Sequence, residues 1–291
     1  MADHETTVKS RELGEGLRRV IEAAGLTGKE VARHLGCSPS EVSRMLTGKR
    51  AVKEKEVAHL LGLCRVSGKE KERLEALCRE ANRPGWYQQH GSRLPPQLRT
   101  YLDHEDKAVT IHDFQALLLP GSLQTADYAR AVITRIVNIP AEEVDERVAT
   151  QMARQEIFSR PRPAKFVFYV HEFVLHLPVG GKNVMSDQLH HLLRMSVRPY
   201  IALRVLPASF GAHAGTAGSF TLMEFQHINP VVYVESVTST NFMEEPEEIT
   251  AYQQIVAALA KSALSEAQSM DRIRSLAIEL SGTREEHDDL P

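Results

Sequence analysis

Two helix-start signals stand eleven residues apart near the N-terminus, Thr27-Gly28-Lys29-Glu30 and Ser38-Pro39-Ser40-Glu41, with Gly36 between them. In each, the hydroxyl accepts a hydrogen bond from the amide three residues on. The glutamate reaches back to the amide of the Thr or Ser, forming a capping box. Pro39 takes the first helical position, where no amide donor is needed. A helix opened at Thr27 therefore stops at Gly36 after eight or nine residues, too few to stand alone in water. Tertiary packing must hold it.

The flanking sequence supplies that packing. Leu13, Leu17, Val20, Ile21 and Ala24 share one face of a helix over residues 10–24 that Gly25 closes. The second helix turns Val31, Ala32 and Leu35 inward, and the third Val42, Met45 and Leu46 before Thr47-Gly48. A fourth buries Val57, Ala58, Leu60 and Leu61, and a fifth, Lys69 to Asn82, buries Leu74, Leu77 and Cys78 before Pro84-Gly85 breaks the pattern. The expectation is an all-α domain of five helices over residues 1–83.

Two short capped helices around a tight glycine turn have helix-turn-helix geometry. The run Leu26 to Arg50 resembles the DNA-binding domain of the Cro and phage-repressor (XRE) superfamily, with Ala32 as the small helix contact, Gly36 as the turn glycine and Val42 and Leu46 as core anchors. The resemblance covers residues 10–80 and implies a transcription regulator whose third helix enters the major groove of a double-stranded operator. Carried onto this chain, it assigns base reading to Ser38, Pro39, Ser40, Ser43 and Arg44, and phosphate contact to Thr27, Gly28, Lys29, Lys49 and Arg50. Arg44 alone in the first set can grip guanine O6 and N7 bidentately. Gly28 and Pro39 stand where family members often carry Gln or a longer polar residue, so direct readout rests on fewer side chains. One such head touches few bases, and a homodimer on two half-sites is expected.

Charge agrees with this division. Residues 1–83 carry 17 Lys and Arg against 13 Asp and Glu, while residues 84–291 carry 18 against 25. Only a nucleic-acid reader needs to neutralise phosphates. No apolar run exceeds the six residues Ile255 to Ala260, well short of the ~18–20 that cross a bilayer. The charged first 25 residues lack the apolar stretch of a secretory signal, so the expected location is the cytoplasm.

Residues 84–99, with three prolines, two glycines and the chain's single Trp, Trp86, beside Tyr87, read as a linker. Beyond it the pattern predicts helices over 100–118, 125–137 and 140–159, and a buried strand at Phe166–Val170. A helix through Met185, Leu189 and Leu192 and a strand at Ile201–Val205 follow, forming a βαβ unit with the first strand. A hairpin of residues 220–225 and 231–237 then leads to two closing helices, the second capped by Ser265 and Gln268. The fold class expected is α+β: the helix-turn-helix domain, then a mixed α/β domain over 100–282 and an acidic tail at 283–291. The segments Leu119–Arg130, Met152–Gln155, Pro178–Gly181, Val205–Pro207, Gly218–Leu222 and Val232–Glu235 resemble the C-terminal domain of many actinobacterial helix-turn-helix regulators. That resemblance implies an antitoxin-like or developmental regulator, with a small partner protein or a small-molecule effector at this domain.

Catalytic and metal sites are not expected. His171 and His176 are five residues apart, whereas two helical ligands to one zinc need a spacing of four, and Gly180-Gly181-Lys182-Asn183 lacks the phosphate-loop spacing. Cys37, Cys64 and Cys78 show no paired spacing and read as small apolar residues. The glycine-rich stretch 208–219 around His213 reads as a mobile surface loop or lid, and Glu235 as the outward residue of its strand.

Overall fold

The computed structural model describes residues 6–82, 96–137, 139–236 and 239–282. Trp86, Tyr87, most of the expected linker and the acidic tail lie outside them. The architecture is α+β, a helical N-terminal region followed by a six-stranded mixed sheet with helices. The chain divides into two compact units, Met1–Lys107 with Phe225–Asn229, and Ala108–Glu224 with Pro230–Pro291.

The first unit contains α1 (Val8–Ala23), α2 (Gly28–Leu35), α3 (Pro39–Leu46), α4 (Glu54–Leu63), α5 (Gly68–Ala81) and α6 (Pro96–Lys107). Leu13, Leu17, Ile21, Val31, Val42, Met45, Leu60, Leu61 and Leu74 form one apolar core, the burial that holds two eight-residue helices in place. Ala24 and Ala58 are exposed, against the sequence expectation. Ala24 caps the end of α1, where the helical face no longer points inward. Two glycines let the helices approach closely. A Cβ on Gly14 of α1 would lie 2.5 Å from the Leu46 carbonyl oxygen, and one on Gly48 (φ +70°) would lie 2.8 Å from the Arg11 amide nitrogen.

The expected helix over 100–118 divides in two. Its first part is α6, which begins inside the expected linker and belongs to the helical unit. The second part is a strand, β1 (Thr110–Gln115), bonded on both sides by β2 and β4. Such pairing overrides a weak helical period. Within α6, His104 is buried and its imidazole stays neutral, its pKa pushed down to about 3 by burial and by the neighbouring Arg11 charge. In the unfolded chain His104 titrates near 6.5. The unfolded state therefore binds more protons between those values, and the His104 contribution, complete above pH ~6.5, is lost as pH falls toward 3. Urea titrations at pH 7 and pH 4.5 should show the helical unit weaker at the lower value, and His104→Gln should flatten that difference.

The second unit is built on a sheet of order β3-β2-β1-β4-β5-β6, with β2 (Lys165–His171), β3 (Ile201–Leu206), β4 (Phe220–Glu224), β5 (Val231–Glu235) and β6 (Thr240–Met243). Strands β1, β2 and β3 are parallel, and β4, β5 and β6 continue antiparallel. Helix α7 (Ala126–Ile133) is shorter than expected, and the expected helix over 140–159 is α8 (Val144–Ala153) flanked by 3-10 turns. Helices α9 (Glu172–His176) and α10 (Lys182–Ser196) connect β2 to β3, and α11 (Pro246–Ser262) and α12 (Glu266–Gly282) close the chain.

One sheet face carries Phe114, Tyr169, Phe220 and Val232 beneath Ile249 and Leu259 of α11. The glycine-rich stretch lies mostly at the surface, as expected, with one inward point: Gly215 is buried against the Phe114 ring, where a Cβ would come within 2.5 Å. His213 meets Phe114 edge-on at 5.6 Å. Glu235 is exposed, as expected.

Candidate nucleic-acid interface

Helix α3 is locked by its own sequence at the start and by its neighbours along its length. Glu41 donates its amide to the Ser38 hydroxyl at 3.2 Å, and the Glu41 carboxylate accepts from the Ser38 amide at 2.8 Å. The Ser38 amide, and after it the Ser38 hydroxyl that donates to the same carboxylate at 2.8 Å, hold the Glu41 carboxyl below the usual carboxylate range. At the far end the Gly48 and Lys49 amides donate to the carbonyls of Met45 and Arg44, satisfying groups the helix leaves open. Val42 and Met45 face the core. With those two inward, the helical period leaves Pro39, Ser40, Ser43 and Arg44 on the opposite side, and all four are exposed.

Arg44 and Ser43 carry the open chemistry of this face. The Arg44 guanidinium makes no hydrogen bond or ion pair among the described residues, and neither does the Ser43 hydroxyl. Ser40 shares a contact with Ser38 between their hydroxyl oxygens at 3.0 Å. Ser38 is exposed but occupied, since its hydroxyl and its amide both face Glu41. Its main task is the cap.

The expected phosphate contacts separate in the same way. Lys29 and Lys49 are exposed and unpaired among the described residues. Gly28 stands in open space at the start of α2. Thr27 is engaged, its amide and hydroxyl both donating to Glu30 at 2.8 and 2.7 Å. Arg50 is bound to Glu56 at 2.9 Å and to the Ala51 carbonyl at 3.3 Å, which makes it a strut between the turn after α3 and the start of α4. Burial works against the Glu56 charge, but the Arg50 guanidinium and the Lys53 amide outweigh it and hold the carboxyl low. Arg33 is a cation that sequence reasoning missed. It lies one turn beyond Lys29 on the same exposed side of α2, and the i, i+4 spacing was its signal.

Comparisons with known proteins agree with this geometry. Residues 98–275 match the model of a domain of unknown function, DUF5753, over more than half of the chain. The chain belongs to the DUF5753 family. Residues 12–74 match a helix-turn-helix domain, which runs from within α1 through α4 and into the first half of α5. In this DUF5753 protein the helix-turn-helix match supports a DNA-binding regulator. A search of curated proteins and a search of solved structures each gave no significant match. Among the described residues, no helix is long and apolar enough to cross a membrane.

Proposed function

We propose that this DUF5753 protein is a sequence-specific transcription regulator of the Cro and phage-repressor type, acting in the cytoplasm as a homodimer and without catalysis. The observation that carries the reading is the exposed side of α3, where a guanidinium and a hydroxyl without partners among the described residues stand on a helix clamped along its opposite side. A rigid helix of this kind fits the major groove, and a planar guanidinium matches the O6 and N7 acceptors of guanine. Lys29, Arg33 and Lys49 are cations available to phosphate oxygens beside it. They position the head and carry no sequence information. Dimerisation supplies the second half-site that genomic competition demands.

The test is a salt series on a cognate fragment selected by genome-wide footprinting. Lys49→Ala should weaken binding to cognate and unrelated DNA alike, and should reduce the slope of log affinity against log salt by about one unit. An unchanged slope would remove Lys49 from the phosphate set.

A second reading, an antitoxin-like protein that holds a small partner, has one specific support. Leu117, Phe173 and Phe210 are half-exposed or more, and follow the carboxyl ends of β1, β2 and β3, the three adjacent parallel strands. Large exposed apolar side chains at one sheet end suit a protein partner. A stoichiometric partner protein whose binding is lost in Phe173→Ser and Phe210→Ser would carry that reading; unchanged association would end it.

A further inference from the structure

Helix α6 belongs to two parts of the molecule at once. The DUF5753 match begins at residue 98, yet α6 ends the helical unit that contains the helix-turn-helix. Its contacts explain why. Val8 is the first residue of α1, so its amide has no partner within the helix. The Asp103 carboxylate of α6 accepts from that amide at 2.5 Å and places a negative charge at the positive end of the helix dipole. One turn on, an Arg11 guanidinium nitrogen lies 3.2 Å from His104 Nε2. His104 Nδ1 lies 2.7 Å from the Thr100 carbonyl, so Nδ1 donates there and Nε2 accepts from Arg11.

The same turn of α1 holds the far end of the recognition helix. The Ser10 hydroxyl lies 3.0 Å from the Gly48 carbonyl oxygen and 2.8 Å from that of Thr7, and donates its proton toward both. Gly48 passes so close that a Cβ there would stand 2.8 Å from the Arg11 nitrogen and 2.9 Å from the Ser10 carbonyl carbon. Residues 8, 10 and 11 therefore touch α6 on one side and the end of α3 on the other.

We infer that Asp103 and His104 are positioning residues for DNA reading, with α6 acting as a clamp by which the DUF5753 domain governs how firmly the recognition helix is held. Drawing α6 away removes the anchor of the first turn of α1, and with it the support of Gly48. The consequence for DNA rests on the function proposed above, whereas the clamp itself does not.

The experiment uses the full chain and two variants. Val8→Pro deletes the amide donor and exchanges one buried apolar side chain for another, at a first helical position that proline fits, after a residue already extended at ψ 160°. Asp103→Asn keeps the shape and removes the charge. Hydrogen exchange is followed at Gly48 and Lys49, whose amides bond to Met45 and Arg44, and at Leu61 as the reference within α4. In both variants exchange at Gly48 and Lys49 should rise about tenfold while Leu61 changes less than about twofold. Affinity for the cognate duplex should fall several-fold at the wild-type salt slope.

Unchanged exchange at Gly48 and Lys49, or a rise matched at Leu61, overturns the clamp. A selective rise with unchanged DNA affinity, in a protein whose Arg44→Ala variant binds poorly, overturns its role in DNA reading. If Arg44→Ala also binds as wild type does, the DNA-binding reading has failed, and the exchange result decides the clamp alone.

Discussion

Arg44→Ala is expected to weaken binding to the cognate duplex roughly 5- to 150-fold, the equivalent of the ~1–3 kcal/mol that a bidentate arginine–guanine contact contributes to discrimination. The salt slope should change little, because the loss falls on a base contact rather than on a phosphate. Arg44 lies in the last turn of α3, exposed and without an internal partner among the described residues, so its removal leaves no buried group unsatisfied. The effect should appear in binding and not in thermal stability. Arg44→Lys keeps the charge and loses the planar fork, and should recover only a small part of the affinity. Fluorescence anisotropy on cognate and scrambled duplexes separates these outcomes: a loss confined to the cognate sequence supports base reading, and an equal loss on both assigns Arg44 to the backbone.

Gly48→Val should produce the second large effect, this time on stability. The position has φ +70°, where a branched side chain is strained, and its Cβ would press on the backbone of Ser10 and Arg11 at 2.8–2.9 Å. Strain and overpacking together cost roughly 2–4 kcal/mol. For a unit of this size that lowers the melting temperature by roughly 10 to 30 °C. Gly25→Ala separates the two causes. Gly25 has φ +66°, and a Cβ added there would meet nothing within 4 Å, so the substitution costs only the backbone strain, about 1 kcal/mol. Equal melting temperatures for the two variants would show that the contact between α1 and the end of α3 contributes nothing to stability.

The helix starts and turns of the first unit were legible because their determinants are local. A Ser or Thr with a Glu three residues on makes its hydrogen bonds within one turn, and the Thr27–Glu30 and Ser38–Glu41 boxes form as the sequence implies. The Val31, Val42, Leu60 and Leu74 core followed from helical spacing for the same reason. What escaped the sequence depends on partners far along the chain. Thr110-Ile-His-Asp-Phe-Gln115 lacks a strand's alternation, since it is central in the sheet and buries Asp113 as well as Phe114. The four-residue β6 is too short to announce itself and exists through its pairing with β5.

The candidate interface divides along the same line. Exposure of Ser40, Ser43 and Arg44 follows from burying Val42 and Met45, which the sequence pattern contains. Nothing in the spacing reveals that Glu56 takes Arg50, or that Glu30 takes the Thr27 hydroxyl as well as the amide that the capping box assigns to it. Those assignments turn on side-chain competition between neighbours, and a carboxylate within reach wins a cation before any ligand arrives. Asp103 lay still further from view, because its partner amide is 95 residues away.

Methylation interference at guanine N7 tests the central claim most directly, since that atom lies in the major groove where α3 is held to insert. On the cognate fragment, N7 methylation should block binding of the wild-type protein at guanines in two half-sites about 10 base pairs apart, centre to centre, or a multiple of that spacing. Arg44→Ala should lose the block at one guanine in each half-site. Binding that tolerates N7 methylation throughout the site would contradict the placement of this helix in the groove.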